Sequence, residues 1–175
     1  MQKLMSALLV LIWAAVLVGG PFRPAQSSAS TGRKAQAGYL APPMELTGLD
    51  GASVTLKDYE GKAVFVNFWA SWCPPCRMEM PEVERLAQNL PPGTAILTVN
   101  MTPSEASPEA VRQFLADSGY TFPVALDLDG TAAESYGVLS LPTSLFVSPR
   151  GVITTRVTGT LSYAAMVDYL QAAGR

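Results

Sequence analysis

Apolar and polar positions along this chain switch repeatedly between the two-residue period of strands and the 3.6-residue period of helices. Met44 to Thr47 and Ser53 to Leu56 flank Gly48-Leu49-Asp50-Gly51, where Asp-Gly can take positive φ. A β-hairpin is therefore predicted to open a folded domain and to cover one sheet edge. Ala63 to Trp69 (AVFVNFW) is short, aromatic and β-branched, the pattern of a strand buried on both faces of a parallel sheet. From Pro75 to Leu90 the residues Met78, Val83, Leu86, Ala87 and Leu90 recur at helical spacing, until Pro91-Pro92-Gly93 stops the element. Pro81 inside that helix predicts a kink.

Thr94 to Asn100 (TAILTVN) gives a second central strand, followed by a helix from Ser107 to Ser118 and a strand near Phe122 to Leu126. A short helix from Thr131 to Tyr136 leads to Leu141-Pro142-Thr143. Ser144 to Ser148 and Val152 to Thr158 then flank Pro149-Arg150-Gly151 as a closing hairpin, and Leu161 to Ala172 forms the terminal helix. Alternating strands and helices predict an α/β layered fold without internal repeats.

Upstream of the domain, Leu4 to Gly20 is a nearly unbroken apolar run behind Met1, Gln2 and Lys3, long enough for a signal h-region or a single membrane span. We expect residues 1–20 to act as a signal-anchor, with cleavage near Ala25-Gln26-Ser27 as the alternative. Residues 21–38 are rich in Ala, Ser, Gly, Pro and Gln and bury too little to order themselves, so a flexible tether is expected before a domain spanning 39–175. A short N-terminal flank and a large C-terminal domain place the domain on the extracytoplasmic side of a cell membrane, held by one pass.

Composition narrows the chemistry. With 175 residues, 49% apolar and 15% charged, the chain suits one packed domain. Its net charge of -2 leaves no basic surface for nucleic acid. Histidine is absent, which removes Ser-His-Asp and Cys-His nucleophile activation and His-containing zinc sites. Two cysteines, Cys73 and Cys76, sit three positions apart in Trp-Cys-Pro-Pro-Cys. That is the minimal device for disulfide exchange, since one thiolate attacks a foreign disulfide and the second resolves the mixed disulfide. No cofactor is implied beyond the pair itself. At a strand-to-helix junction Cys73 lies at the positive end of the helix dipole, exposed, with Cys76 a turn deeper, so Cys73 is the expected nucleophile. Pro74 and Pro75 lack N–H groups and cannot donate to its sulfur, which argues for a less oxidising pair. A copper(I) carrier using Cys73, Cys76, Met78 and Met80 is an alternative from another class.

Phe68-Trp69-Ala70-Ser71-Trp72-Cys73-Pro74-Pro75-Cys76, with Pro81 and Leu141-Pro142-Thr143, resembles the thioredoxin superfamily and, within it, membrane-anchored TlpA/ResA-type proteins. The likeness covers roughly Leu40 to Ala172. It implies a thioredoxin-like fold with an N-terminal β-hairpin and a central helix–strand insertion. It implies that Pro142 is cis and faces the cysteines, where it docks substrate with Leu141, Trp72 and Pro74. It also singles out Glu79, one turn beyond Cys76, as a carboxylate that tunes the pair and takes part in catalysis by exchanging a proton with it. Where many thioredoxins carry a buried aspartate, this chain has Asn67, which cannot be a base. The implied activity is reduction of disulfides in exported proteins, apocytochrome c among them, with re-reduction by a membrane thiol-electron donor of CcdA type. The same residues could run as a disulfide-donating oxidase.

Overall fold

The β-branched and aromatic runs assemble a seven-stranded mixed sheet in a computed structural model that describes residues 30–175. The expected anchor, residues 1–20, lies outside the described residues. In chain order the elements are β1 (Ser30–Arg33), β2 (Tyr39–Leu40), β3 (Glu45–Gly48), β4 (Ser53–Thr55), β5 (Ala63–Trp69), α1 (Pro74–Gln88), β6 (Thr94–Asn100), α2 (Pro108–Ser118), β7 (Val124–Leu126), α3 (Thr131–Ser135), β8 (Thr143–Val147), β9 (Ile153–Thr158) and α4 (Tyr163–Ala173). Among the described residues no helix is long and apolar enough to cross a membrane.

Strand order in the large sheet is β4-β3-β7-β6-β5-β8-β9. β5, β6 and β7 run parallel, while β3 and β8 are antiparallel to their inner neighbours. The β3–β4 hairpin closes one edge, as its Asp-Gly turn predicts, and α2 with β7 forms the insertion. This is the thioredoxin-like α/β fold. All seven residues of β5 are buried, and their alternation divides the core. Ala63, Phe65 and Trp69 face the layer containing α1, α2 and α4, while Val64, Val66 and Phe68 face α3 and the segment from Ala41 to Leu46.

Local chemistry sets the helix ends. Ser107 and Ser162 each accept an N–H from the residue three positions on and so cap α2 and α4. α4 therefore starts at Tyr163, later than periodicity alone placed it. α1 runs unbroken through Pro81, although Pro81 lacks the N–H that would reach the Arg77 carbonyl.

Ordered pairing reaches upstream of the boundary that composition placed at Tyr39. β1 pairs with β2 in a separate parallel ladder, and Arg33 Nη1 donates to Ala41 O at 2.9 Å. Backbone pairing needs no apolar side chains, so hydrophobic patterning does not reveal it. Arg156 on β9 draws this segment and the α3–β8 loop together. Its Nη1 donates to Ala35 O at 3.1 Å and Tyr136 O at 2.6 Å, and its Nη2 donates to Gly137 O at 2.9 Å.

Tyr136 is fully buried, and its hydroxyl donates to Pro42 O at 2.7 Å. Tyr136→Phe keeps the ring and strips that acceptor of its donor. We expect a loss of about 1–2 kcal/mol in denaturant melts with disulfide exchange unchanged.

Candidate active site

A central strand that ends directly in a helix puts the two cysteines where backbone N–H groups converge. β5 ends at Trp69, and Cys73 is the N-cap of α1. Its Sγ accepts the Cys76 N–H at 3.2 Å, the first amide of the helix not removed by proline. Cys73 and Cys76 form a disulfide with Cα atoms 5.3 Å apart. Cys73 is only 3% exposed and Cys76 1%, so the exposure expected of Cys73 is not realised in the disulfide form. Both cysteines belong to an apolar cluster with Trp69, Ala70 and Met80. Trp69 packs against Phe114 and edge-on to Phe122.

The sheet register brings the second predicted segment to the same end. Phe68 pairs with Thr143, so Pro142 stands beside the exit of β5, and the Leu141–Pro142 peptide is cis. Pro142 is buried, Leu141 half-buried, and Trp72 and Pro74 exposed. Gly159, at φ 102, donates its N–H to Pro142 O at 2.9 Å. Met78 is 69% exposed whereas Met80 is 3% exposed, so the four sulfurs of the copper reading do not converge.

Glu79 is not a solvated helix glutamate. It is 2% exposed, its Oε2 accepts from Asn67 Nδ2 at 3.0 Å, and its Oε1 accepts the Leu161 N–H at 2.7 Å. Burial pushes its carboxyl up to about 7, against the two N–H donors that favour the charged form. A carboxyl of that kind can hold or release a proton at neutral pH, one helical turn from Cys76.

Two groups of residues escaped sequence reasoning. Asn67, noted there only as a missing base, joins Glu79 to Ser144, whose Oγ accepts from Nδ2 at 2.9 Å. A lone polar residue in AVFVNFW was the available signal. The second group holds the loop before Cys73. Glu105 accepts the Ser71 N–H at 2.6 Å and the Ser71 hydroxyl, and also Asn100 Nδ2 at 2.8 Å. Ser104 Oγ takes the Trp72 Nε1 hydrogen at 3.3 Å. No periodicity links Ser71 to Glu105, so only the fold reveals that clamp. A cavity of about 590 Å³, bordered by Pro42, Met44, Leu56 and Glu60, lies instead beside Gly61 at the opposite end of β5.

A redox-active cysteine pair at the start of the helix after a central strand, beside a cis-proline, defines a thioredoxin-like thiol–disulfide oxidoreductase. Residues 37–156 match the AhpC/TSA family, and the chain belongs to it. It is 39% identical over 135 residues to the thioredoxin-like protein YneN of Bacillus subtilis, covering 77% of this chain and 79% of that one. It is 32% identical to the thiol-disulfide oxidoreductase ResA of Bacillus cereus, over 97% of this chain and 96% of the relative. Among solved structures, the pneumococcal exposed lipoprotein thioredoxin of Streptococcus pneumoniae superposes with a TM-score of 0.65 at 30% identity, covering 75% of this chain and 99% of that one.

Glu79 also leaves a signature in stability. Its native carboxyl keeps a proton between about pH 4.5 and 7, where the unfolded chain has lost it. The stability it contributes is full below the lower value and disappears as pH rises through the upper one. Relative to Glu79→Gln, the wild type should lose on the order of 2–3 kcal/mol across that window in denaturant melts taken at a series of pH values. Parallel stability curves would contradict the buried, protonated state.

Proposed function

We propose that this oxidoreductase works as a dithiol reductant of exported proteins on the extracytoplasmic side of a membrane, anchored through residues 1–20. The carrying observation is the buried carboxyl of Glu79 one helical turn along α1 from Cys76. The Cys73 thiolate attacks one sulfur of a client disulfide, forming a mixed disulfide and releasing the other client sulfur as thiolate. Cys76 passes its proton to the Glu79 carboxylate, and its sulfur then attacks Cys73 Sγ. That step expels the second client thiolate and closes the Cys73–Cys76 disulfide. The client gains two electrons and the protein loses two, so a membrane thiol donor of CcdA type must return them.

The direction of electron flow follows from what faces the sulfurs. Among the described residues only the Cys76 N–H reaches Cys73 Sγ, because Pro74 and Pro75 have no donors to offer. A carboxyl near the pair opposes a second negative charge, so neither thiolate is strongly stabilised, and the disulfide is correspondingly weak as an oxidant. Clients would dock on Leu141, Pro142, Trp72 and Pro74. Trp72 is 55% exposed and Leu139, in the loop leading to Pro142, 95% exposed, which suits apolar residues flanking a client cysteine. Apocytochrome c before haem attachment fits this client class, and the likeness to a ResA protein over nearly the whole chain supports that choice.

Cys76→Ser should accumulate a mixed disulfide between Cys73 and its client, identifiable by mass spectrometry, while Cys73→Ser accumulates none. The midpoint potential should lie below about -200 mV when equilibrated against glutathione. A value near about -120 mV would reverse the electron flow and make the protein a disulfide donor.

A further inference from the structure

The layer between β5, β8 and α1 is apolar except for Asn67, Ser144 and Glu79, all buried. Asn67 and Ser144 are cross-strand partners in register, and the two-residue period turns both toward α1. A carboxamide buried among apolar neighbours is costly unless its donors are used. Here one Nδ2 hydrogen goes to Glu79 Oε2 at 3.0 Å and the other to Ser144 Oγ at 2.9 Å. We propose that Asn67 is a positioning residue, whose carboxamide fixes the orientation and proton occupancy of Glu79 and anchors that carboxyl to the strand leading out of Pro142. The proposal rests on the reading of Glu79 as proton acceptor for Cys76.

A second connection runs the other way around the site. Leu161 N–H binds Glu79 Oε1, and Gly159 N–H binds Pro142 O, so the segment before α4 also joins the carboxyl to the Pro142 loop. The groups facing Glu79 can be named element by element. On α1 they are Cys76 one turn before and Glu82 one turn after, the latter accepting the Tyr163 N–H at 3.0 Å. β5 contributes Asn67, β8 contributes Ser144 through Asn67, and the segment before α4 contributes Leu161 N–H. The one ion pair among the described residues, Arg112 with Glu109, does not involve Glu79. The charge on Glu79 is thus governed by burial on one side and two N–H donors on the other, and Asn67 supplies the donor that mutation can remove.

The test titrates the Glu79 carboxyl by infrared spectroscopy in the disulfide form, where neither thiol titrates, and measures insulin reduction against pH in the dithiol form. In Asn67→Leu the carboxyl midpoint should rise by about one pH unit. The acid limb of the insulin profile should move the same way, and Asn67→Leu should move it no further once Glu79→Gln is present. Ser144→Ala should shift the carboxyl midpoint in the same direction by less, and it decides the matter if Asn67→Leu does not fold. Carboxyl midpoints equal to wild type in the folded variants overturn the proposal. If those midpoints move while Glu79→Gln leaves the insulin profile unchanged, the hold of Asn67 on Glu79 stands and the proton-acceptor role of Glu79 is what fails.

Discussion

A carboxyl group removed from water must be received by donors, and the site depends on how that demand is met at Glu79. The donors come from β5 and from the segment before α4, two elements far apart in sequence. Neither can be moved without moving the element that carries it, so the carboxyl is fixed relative to Cys76 on its own helix. Burial favours the protonated form and the two N–H groups favour the ionised form. Burial outweighs the two donors, and the result is a group that changes charge near neutral pH in a chain that has no histidine.

The same economy of donors governs the sulfurs. A helix N-terminus ordinarily presents several free amides, but two prolines leave Cys73 Sγ with the Cys76 N–H as its one donor among the described residues. The loop before Cys73 is held from outside the helix, by Glu105 on Ser71 and Ser104 on Trp72. Cys73, Cys76 and Glu79 are carried by α1 and its N-cap, and the cis-proline Pro142 by the segment entering β8, so two elements bring all four to one end of the sheet. Strand register aligns them. Phe68 opposite Thr143 sets Pro142 beside the cysteines, and Asn67 opposite Ser144 sets the polar contact beneath them.

Pro142 and Glu79 are tied together twice, through Asn67 and Ser144 and through Leu161 and Gly159. Arg156 holds the other flank of that loop through the carbonyls of Tyr136 and Gly137, and exposed Leu139 lies in the span between. The loop carrying exposed Leu139 is thus held by hydrogen bonds at both of its flanks.

The sequence alone determined the element order, the edge hairpin, the strand-to-helix placement of Cys73 and Cys76, and the chemical type of the reaction. These depend on local periodicity, turn residues and the short spacing of two sulfurs, all contained within a few neighbouring positions. The resemblance carried by Trp-Cys-Pro-Pro-Cys and Leu-Pro-Thr added Pro142 and Glu79. Tertiary structure decided that Glu79 is buried, that Asn67 holds it against Ser144, that Glu105 clamps Ser71 and that β1 is paired at all. Those facts rest on hydrogen bonds between residues from 12 to 77 positions apart, and on pairing between backbones whose side chains show no pattern. Such contacts exist only once the sheet has set its register, because until then no position records which distant donor it will face.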